Sequence, residues 1–314
     1  MSVRPPRISI GLPVYNGGQH LLFCLESILG QSFEDFELII SDNASTDQTE
    51  EICRRFLKSD ARIRYIRNPY NLGAAANFNR VTTLARAPYF KWAAHDDLLA
   101  PDFLARCAEV LDRFSDVLLC CTRVRVIDSH GAVASRRIDD LPGINSPRPE
   151  TRFAELVLKD HQCTPIFGLI RREPLARTKG IAPYIASDRV LLAELSLRGR
   201  LWQIPDELFF SREHGGRSIR TLPFHQRAHW YDPRLAGRRT LPHWRFFTEY
   251  VRCIHRLPLQ GCTRMACMVH LLRWPTVNLN GLRLLSDLVI AGFPKTEAFF
   301  HAAKKQWITI DETR

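Results

Sequence analysis

The stretch RISIGLPVYNGGQHLLFCLESILGQSFEDFELIISDN, residues 7–43, contains the alternation of elements that decides the fold. Its first part, RISIGLPV, is an apolar run that ends in turn residues, which is typical of a buried strand. The next part places apolar side chains on one helical face, namely Leu21, Leu22, Leu25, Ile28 and Leu29. FELIISDN is a second apolar run that ends in turn residues. The stretch therefore predicts a strand, a helix and a second strand.

Strand and helix patterns continue to alternate as far as residue 128. IRYIRN, YFKWAA and VLLCCTRVRVID predict strands, whereas TDQTEEICRRFLKSD, AAANFNRVTTLAR and PDFLARCAEVLDRF predict helices. The first of these helices has Thr46 or Asp47 as a cap, and the third begins with Pro101 in its first turn. This order predicts an α/β fold with a mostly parallel central sheet and helices on both faces. In such sheets, ligands bind beyond the carboxyl ends of the strands.

The positive charge of the chain is concentrated in its last third. The 314 residues carry a net charge of +11, and residues 211–314 hold 17 Lys and Arg against 7 Asp and Glu. We therefore predict a nearly neutral domain, residues 1–216, and a basic, mainly helical extension, residues 217–314. Such an extension suits an anionic membrane surface or a phosphate-bearing acceptor. Nucleic acid is not expected as a partner, because no recognised reader motif accompanies the charge.

The cysteines and the apolar runs bear on the compartment. Nine cysteines are an odd number and none forms a C-x-x-C pair, so we expect reduced thiols that pack as small apolar residues. Cys262, Cys267 and His270 fit no common zinc spacing. No stretch resembles a secretory signal or reaches the roughly 18 to 20 apolar residues of a membrane span. These features predict a cytoplasmic protein.

Polar side chains follow three of the predicted strands. The strand ends read PVYNGG (residues 13–18), SDNAST (residues 41–46) and HDD (residues 95–97). Because the carboxyl ends of parallel strands meet at one edge of a sheet, we expect these residues to form one site. The chain has neither G-x-G-x-x-G nor G-x-x-x-x-G-K-[ST], so a phosphate-bearing ligand would depend on a cation. Two adjacent carboxylates suit Mg²⁺ or Mn²⁺ that keeps several waters and bridges to phosphates.

Five segments together resemble a known family. They are, in chain order, ISIGLPVYNGG, ELIISDNASTDQT, NPYNLGAAANFN, AAHDDLLAPDFL and SDRVLLAELSLRG. In this order and at these separations they resemble the family 2 glycosyltransferases, over roughly the first two thirds of the chain. The resemblance implies a GT-A fold, which is Rossmann-like. It also implies an inverting transfer of a sugar from a nucleotide diphosphate, with a UDP-sugar as the favoured donor.

The resemblance assigns a nucleotide-binding role to residues in the first three segments and to one residue of HDD. Asp42 would accept a hydrogen bond from the base or the ribose, although a turn after a strand also explains this residue. For the segment of residues 71–77, a loop followed by an ordinary helix is an equally good explanation. The residues implied at the nucleotide are Pro13, Tyr15, Asn16, Asp42, Asn71, Gly73, Asn77 and Asp96.

HDD corresponds to the metal-binding motif of the family, in which two Asp residues flank a third position. Here His95 stands where the first Asp is usual. The resemblance implies that Asp97 ligates Mn²⁺ or Mg²⁺ and that Asp96 contacts a ribose or sugar hydroxyl. His95 either takes part at the metal or the phosphates, or is a structural histidine. Helix capping before Pro101 does not account for two adjacent carboxylates.

The segment ASDRVLLAELSLRGR resembles the part of the family that presents the catalytic base. Asp188 stands at the beginning of a predicted helix, whose apolar face contains Leu191, Leu192, Leu195 and Leu197. The resemblance implies that Asp188 takes the proton of the acceptor hydroxyl. A helix N-cap also explains this residue, and capping does not exclude catalysis.

A basic, glycine-containing segment, SREHGGRSIR, follows the last predicted strand. In the family a loop at this place closes over the diphosphate, and two adjacent glycines would allow it to move. The candidates there are Arg212, His214 and Arg217, with His214 first. A basic surface turn at the domain boundary is the alternative.

The extension contains three short amphipathic helical patterns, RFFTEYVRCIHRL, TRMACMVHLLRW and NGLRLLSDLVIAG. They either fold back on the core, form a homodimer, or lie on an anionic bilayer and bring the protein to a lipid-linked acceptor. The last alternative predicts a peripheral position at the inner face of a membrane.

The whole sequence is interpreted as a metal-dependent hexosyltransferase-type enzyme. It would use a UDP-sugar and a carbohydrate or lipid-linked acceptor in the assembly of a cell-envelope polysaccharide, glycan or glycolipid. One alternative is a sugar nucleotidyltransferase, but PVYNGGQHLLF lacks the basic residues of its phosphate loop. The other is a non-catalytic nucleotide-sugar-binding protein of the same fold, in which loss of Asp97 or Asp188 would be expected.

Overall fold

The structure, a computed structural model, describes residues 5–215, 224–235, 241–293 and 296. Within these residues a nine-stranded sheet forms the centre of the molecule. Its strands are β1 Ile8–Val14, β2 Phe36–Asp42, β3 Ile63–Arg67, β4 Tyr89–Trp92, β5 Leu98–Leu99, β6 Val117–Ile127, β7 Val133–Ile138, β8 Leu169–Arg171 and β9 Arg200–Arg212.

The order of strands across the sheet is β3, β2, β1, β4, β8, β6, β9, β5, and β7 pairs with β6. The first four strands are parallel, and β6 and β9 point in the same direction as they do. The mostly parallel α/β sheet predicted from the sequence is therefore confirmed. The antiparallel strands β5 and β8 were not predicted, because strands of two or three residues are too short to show an apolar period. The antiparallel strand β7 was not predicted because its sequence, VASRRI, has three consecutive polar residues and no apolar alternation.

Helices connect and cover the strands. The described helices are α1 Leu21–Leu29, α2 Thr49–Ser59, α3 Ala74–Leu84, α4 Phe103–Arg113, α5 Pro149–Leu158, α6 Arg172–Ala176, α7 Ser187–Arg198, α8 Phe224–Tyr231, α9 Pro242–Arg256, α10 Gly261–Arg273 and α11 Asn280–Gly292. The prediction that Pro101 lies in the first turn of α4 is wrong. Pro101 lies before the helix, and its carbonyl accepts the Ser32 N–H at 2.9 Å.

The sheet buries apolar side chains on both faces, as alternation along each strand requires. Leu38 and Ile40 of β2 pack with α1 and α4, whereas Ile39 packs with residues of α3 and α7 on the opposite face. The helices on both faces therefore follow from continuous apolar runs such as LII in β2, which have no polar side to leave in water.

The C-terminal helices pack against the rest of the chain. Tyr250 of α9 and Trp274, directly after α10, are buried in one cluster with Phe153 of α5 and Leu197 of α7. The sequence left three alternatives open for the amphipathic segments, namely packing on the core, dimerisation and membrane binding. The structure shows that one side of these helices packs on the core. The domain boundary at residue 216 stays a prediction, because residues 216–223 lie outside the described part of the chain.

The cysteines pack mostly in the interior, as expected for small apolar side chains. All nine cysteines are unpaired, and all except Cys262 are buried. Among the described residues, no helix has the length and apolar character needed to cross a membrane.

Candidate active site

The ends of β1 and β2 are joined by hydrogen bonds between their loops. Val14 lies opposite Asp42 in the parallel register, so the two loops leave the sheet side by side. The Asn16 N–H donates to Ser45 Oγ at 2.9 Å, and Asn16 Oδ1 accepts the Thr46 N–H at 2.8 Å. Asn16 has a φ of 51°, a left-handed conformation that Asn tolerates better than most residues. Pro13 is buried in β1, whereas the neighbouring Tyr15 is exposed.

Asp42 is fully buried at the end of β2 and is held by other residues of the chain. Its Oδ2 accepts hydrogen bonds from Tyr65 Oη at 2.7 Å and from Arg67 at 2.8 Å. Its Oδ1 accepts the Ser45 N–H at 2.8 Å, which is the turn geometry considered as an alternative for this residue. Burial, and then the bond to Asp42, raise the pKa of Tyr65. The nucleotide contact of Asp42 stays a prediction.

The predicted nucleotide segment forms an asparagine network behind the strand ends. Asn77 Oδ1 accepts bonds from Ser41 Oγ at 2.7 Å and Asn68 Nδ2 at 3.1 Å, and Asn77 is buried. Asn71 Oδ1 accepts bonds from Asn43 Nδ2 at 2.8 Å and from the Gly73 N–H at 2.9 Å. The network therefore fixes the shape of this edge, whether or not its members contact a ligand.

HDD lies directly beside the end of β9. The Arg212 N–H donates to Asp97 Oδ1 at 2.9 Å, and Arg212 Nε donates to the Asp96 carbonyl at 2.9 Å. His214 Nε2 lies 3.0 Å from Asp96 Oδ2. Arg212 and Asp97 are buried, whereas Asp96 is half-buried. The predicted loop residues Arg212 and His214 thus meet the two carboxylates, while Arg217 lies outside the described residues.

A short strand holds HDD against β9. Leu98 and Leu99 of β5 pair antiparallel with Phe210 and Phe209 of β9. The pairing begins at the residue after Asp97, so it fixes the backbone that carries both carboxylates.

His95 connects HDD to the first loop. A Cβ atom added to Gly17 would lie 2.8 Å from the His95 ring, so the two segments are in close contact. The ends of β1, β2 and β4 therefore come together at one edge of the sheet, as the parallel arrangement predicts.

Asp188 belongs to a second group of contacts. It is the second residue of α7, half-buried, and its Oδ1 accepts the Arg189 N–H at 2.9 Å. Ala186, just before the helix, has a φ of 64°, a strained left-handed conformation for Ala. Burial and the Asp188 carboxylate raise the pKa of the nearby Cys163 thiol. The turn Thr164–Phe167 contacts α7, β4 and β6, and so connects this group to the sheet.

The sequence matches the model of one protein family, described as Glycosyl transferase family 2, over residues 9–178. This match covers more than half of the chain. The chain belongs to glycosyl transferase family 2.

Curated relatives of this family 2 chain include several glycosyltransferases. It is 32% identical over 113 residues to Glycosyltransferase GlyG of Streptococcus pneumoniae, covering 36% of this chain and 38% of that protein. It is 39% identical over 132 residues to Abequosyltransferase RfbV of Salmonella typhimurium, covering 39% of this chain and 40% of that protein. It is 36% identical over 135 residues to Chondroitin synthase of Escherichia coli, covering 42% and 19%. The chain thus spans less than half the length of each of these relatives.

Solved structures confirm the GT-A-type fold of this family 2 chain. S. aureus TarS 1-349, in complex with UDP-GlcNAc, has a TM-score of 0.67 at 14% identity, covering 91% of this chain and 81% of that chain. The mannosyltransferase PcManGT of Pyrobaculum calidifontis, in complex with GDP-Man and Mn²⁺, has a TM-score of 0.57 at 16% identity, covering 97% and 81%.

The carboxylates of this family 2 chain fit a cation that is shared with a ligand. Among the described residues, no group of three or more His, Cys, Asp or Glu side chains is arranged to hold a metal ion by itself. Mg²⁺ is commonly held by one or two carboxylates, while substrate phosphates and waters complete its shell. Asp96 and Asp97 follow β4 as adjacent carboxylates, so they supply the donor type of that mode, and the phosphates of a bound nucleotide would supply the remaining oxygens.

His20 is a site residue that the sequence analysis missed. It precedes α1, is buried, and its ring centroid lies 4.7 Å from that of His214. Its Nε2 is buried and has no hydrogen-bond partner among the described residues. Burial, and then the neighbouring His214, lower the pKa of His20 to about 4. The sequence signal was a polar residue directly before a predominantly apolar helix.

Lys91 is a second residue that was missed, because it stands inside the apolar run YFKW. Its ammonium group is fully buried, lies 4.5 Å from the Phe103 ring centroid, and donates to the carbonyls of Trp92 and Phe167. Burial lowers its pKa to about 8. Lys91, Cys24 and Asp97 line a cavity of about 10 Å³ beneath HDD.

Proposed function

We propose that this family 2 glycosyltransferase moves a sugar from a nucleotide diphosphate, with a UDP-sugar favoured, to an acceptor hydroxyl with inversion. The observation that carries the proposal is the pair Asp96 and Asp97 at the end of β4, held by Arg212 and His214. The relatives include glycosyltransferases, and two solved neighbours are complexes with UDP-GlcNAc and GDP-Man. The proposed acceptor is a carbohydrate or a lipid-linked glycan in polysaccharide or glycolipid assembly.

On the donor side, the loops after β1 and β2 bind the nucleoside, with Tyr15, Asn16 and Asp42 at its border. Asp96 accepts a hydrogen bond from a ribose or sugar hydroxyl. Asp97 would hold Mn²⁺ or Mg²⁺, and the cation would supply positive charge beside the leaving diphosphate. His214 approaches the same phosphates from the end of β9, where its bond to Asp96 fixes the direction of its ring.

On the acceptor side, Asp188 acts as the general base. The acceptor oxygen forms a bond to the anomeric carbon while the bond from that carbon to the diphosphate oxygen breaks. The hydroxyl proton passes to the Asp188 carboxylate. Asp188 is half-buried in the first turn of α7, so its carboxylate is partly accessible, which supports this role. Inversion requires the acceptor oxygen and the leaving diphosphate to lie on opposite sides of the anomeric carbon, so Asp188 would serve the acceptor side and Asp97 would hold the cation on the donor side.

A donor screen tests the proposed function. Purified protein is incubated with UDP-, GDP- and dTDP-sugars with Mn²⁺, with Mg²⁺ or with EDTA, and release of the nucleoside diphosphate is measured. We expect one or a few donors to be hydrolysed slowly, and faster with Mn²⁺ or Mg²⁺ than with EDTA. The proposal would be overturned by no turnover together with no thermal stabilisation by any nucleoside diphosphate. Release of pyrophosphate from a nucleoside triphosphate and a sugar phosphate would instead indicate a nucleotidyltransferase.

Asp188→Asn tests the base once a donor is known. General-base catalysis contributes about 10²- to 10⁴-fold, so we expect kcat to fall by this factor while the Kd for UDP stays unchanged. Glu173→Gln is the matched control, because Glu173 is also an acid in the first turn of a helix and is exposed. Retained turnover in Asp188→Asn would remove Asp188 from the proposed role.

A further inference from the structure

The last two described helices expose an apolar surface, here termed the outer apolar face. Leu272 is 72% exposed, Met265 67% and Phe293 70%. On α10 the exposed residues recur at intervals of four and three, and on α11 at intervals of three and four, so each set follows one side of its helix. The outer apolar face consists of Met265, Val269, Leu272, Leu279, Leu282, Leu285, Leu288, Val289 and Phe293.

This face is distinct from the side by which the same helices pack. Cys267 and Leu271 of α10 and Leu284 of α11 are buried in the cluster that contains α9. A helix at the surface of a globular protein normally turns a polar side to water once its apolar side is buried. Here both sides are apolar, so each helix carries an exposed apolar stripe, and exposed apolar surface of this kind marks interaction sites.

The charges beside the outer apolar face indicate the chemistry of the partner that fits it. Between residues 261 and 293 the basic side chains include Arg264, Arg273 and Arg283, and Asp287 is the one acid. Asp287 is buried, and its two carboxylate oxygens accept bonds from His243 Nδ1 and the His243 N–H. The two helices therefore expose arginines and leucines without an exposed carboxylate among their described residues. An apolar surface bordered by cations complements a partner that is apolar and anionic.

We propose that the outer apolar face binds the surface of an anionic lipid bilayer. The leucines enter the boundary between headgroups and acyl chains, and Arg273 and Arg283 contact the lipid phosphates. A second copy of the chain fits less well, because a twofold interface places the same cationic patch on both sides, and the described residues of α10 and α11 offer no exposed carboxylate to pair with the arginines. The proposal rests on the proposed function, for which it specifies a lipid-linked acceptor.

The position of the face relative to Asp188 supports such an acceptor. Helix α10 packs on α5, and α9 packs on α7, which begins with Ser187 and Asp188. Asn278, between α10 and α11, donates to the Leu158 carbonyl at the end of α5. The helices that would contact lipid are therefore fixed to the elements that hold the acceptor-side base.

The experiment is vesicle flotation of the full chain with two lipid compositions, phosphatidylcholine alone and phosphatidylcholine with 30% phosphatidylglycerol. We expect binding to the anionic vesicles, weakened by salt. Leu272→Gln with Leu285→Gln, and separately Arg273→Gln with Arg283→Gln, should each lower the vesicle affinity by roughly tenfold or more. Leu57→Gln with Arg55→Gln is the matched control, because both residues are exposed and lie on α2, which packs on α1, β2 and β3. Melting temperatures equal to wild type verify that the variants are folded.

Other results would overturn the proposal. Equal binding by all variants would contradict it, as would a dimer in sedimentation that Leu272→Gln with Leu285→Gln abolishes while no vesicle binding occurs. Binding that requires deletion of residues 297–314 would also contradict it, because the chain's own C-terminal segment would then cover the face. Nucleotide-sugar hydrolysis in the absence of lipid is measured in parallel. The double variants should retain it, so a failure of docking is distinguishable from a failure of the proposed transferase activity.

Discussion

Several residues at the strand ends have a structural role besides the chemical role proposed for this edge of the sheet. Asp42, Asn77 and Arg212 are buried and hydrogen-bonded within the chain, so they hold the loops that a ligand would meet. His20 has a different environment, since its Nε2 is buried without a partner among the described residues, beside the His214 ring. Because burial and His214 lower its pKa to about 4, His20 is a neutral imidazole at neutral pH.

We expect His20→Phe to reduce the loss of stability that the wild-type protein shows on acidification. Unfolded histidine binds a proton near pH 6.5, whereas folded His20 does so near pH 4, so stability falls as the pH decreases through this window. The difference in unfolding free energy between the two proteins should change by on the order of 2 kcal/mol across it. Urea unfolding at several pH values measures this difference.

The control for this prediction is His255→Phe, because His255 is exposed on α9. It should keep the pH dependence of the wild type. If His20→Phe also kept the wild-type dependence, a neutral, buried His20 would be ruled out.

Elements meet at this edge through close backbone approaches. Gly73 precedes α3 and has a φ of 84°, which is strained for any side chain. A Cβ atom there would lie 2.6 Å from Pro233 Cδ and 2.8 Å from the Tyr231 carbonyl oxygen. The segment after α8 thus lies directly on the start of α3, next to the asparagine network.

We expect Gly73→Ala to lower the unfolding free energy by about 2 kcal/mol or more, because it adds left-handed strain and a clash with backbone. It should also weaken UDP binding, because the Gly73 N–H and Asn43 Nδ2 both donate to Asn71 Oδ1. A change at Gly73 would therefore disturb the asparagine network at the proposed nucleotide site. Denaturant unfolding and calorimetry measure the two effects. Gly261→Ala is the control, as nothing lies within 4 Å of its added Cβ. Equal stability of both variants would show that the Gly73 backbone adapts.

The whole molecule is joined by the cluster that the C-terminal helices share with α5 and α7. Trp274 is 2% exposed, and its ring packs on Phe246 at 5.1 Å and Phe247 at 5.3 Å between centroids. Because Leu197 and Val190 of α7 belong to the same cluster, the extension supports the helix that begins at Asp188. The two parts are therefore expected to unfold together.

We expect Trp274→Ala to lower the unfolding free energy by about 3 to 5 kcal/mol, the usual cost of removing a large buried aromatic side chain. The variant should still unfold in one transition by fluorescence and circular dichroism. Phe23→Ala is the control, because Phe23 is half exposed on α1 and should change stability by much less. Two separate transitions in Trp274→Ala would show that the extension is independent of the core.

Sequence patterns and tertiary structure decided different features of this protein. The apolar runs and helical periods determined the α/β alternation, because burial on both sheet faces requires continuous apolar strands. The family followed from motifs at strand ends, and parallel strands necessarily bring those ends together. Asp96 and Asp97 were therefore predictable as neighbours of the first two loops.

Only the tertiary structure decided which polar residues are enclosed and which apolar ones are exposed. The contact between His20 and His214 joins residues far apart in the chain, and the burial of Lys91 depends on Phe103 and Phe209 from other elements. The period of α10 indicated an amphipathic helix, but not that a second apolar side would stay exposed. Local sequence determines elements through short-range geometry, whereas burial depends on which distant surfaces meet, and that is fixed only when the chain is folded.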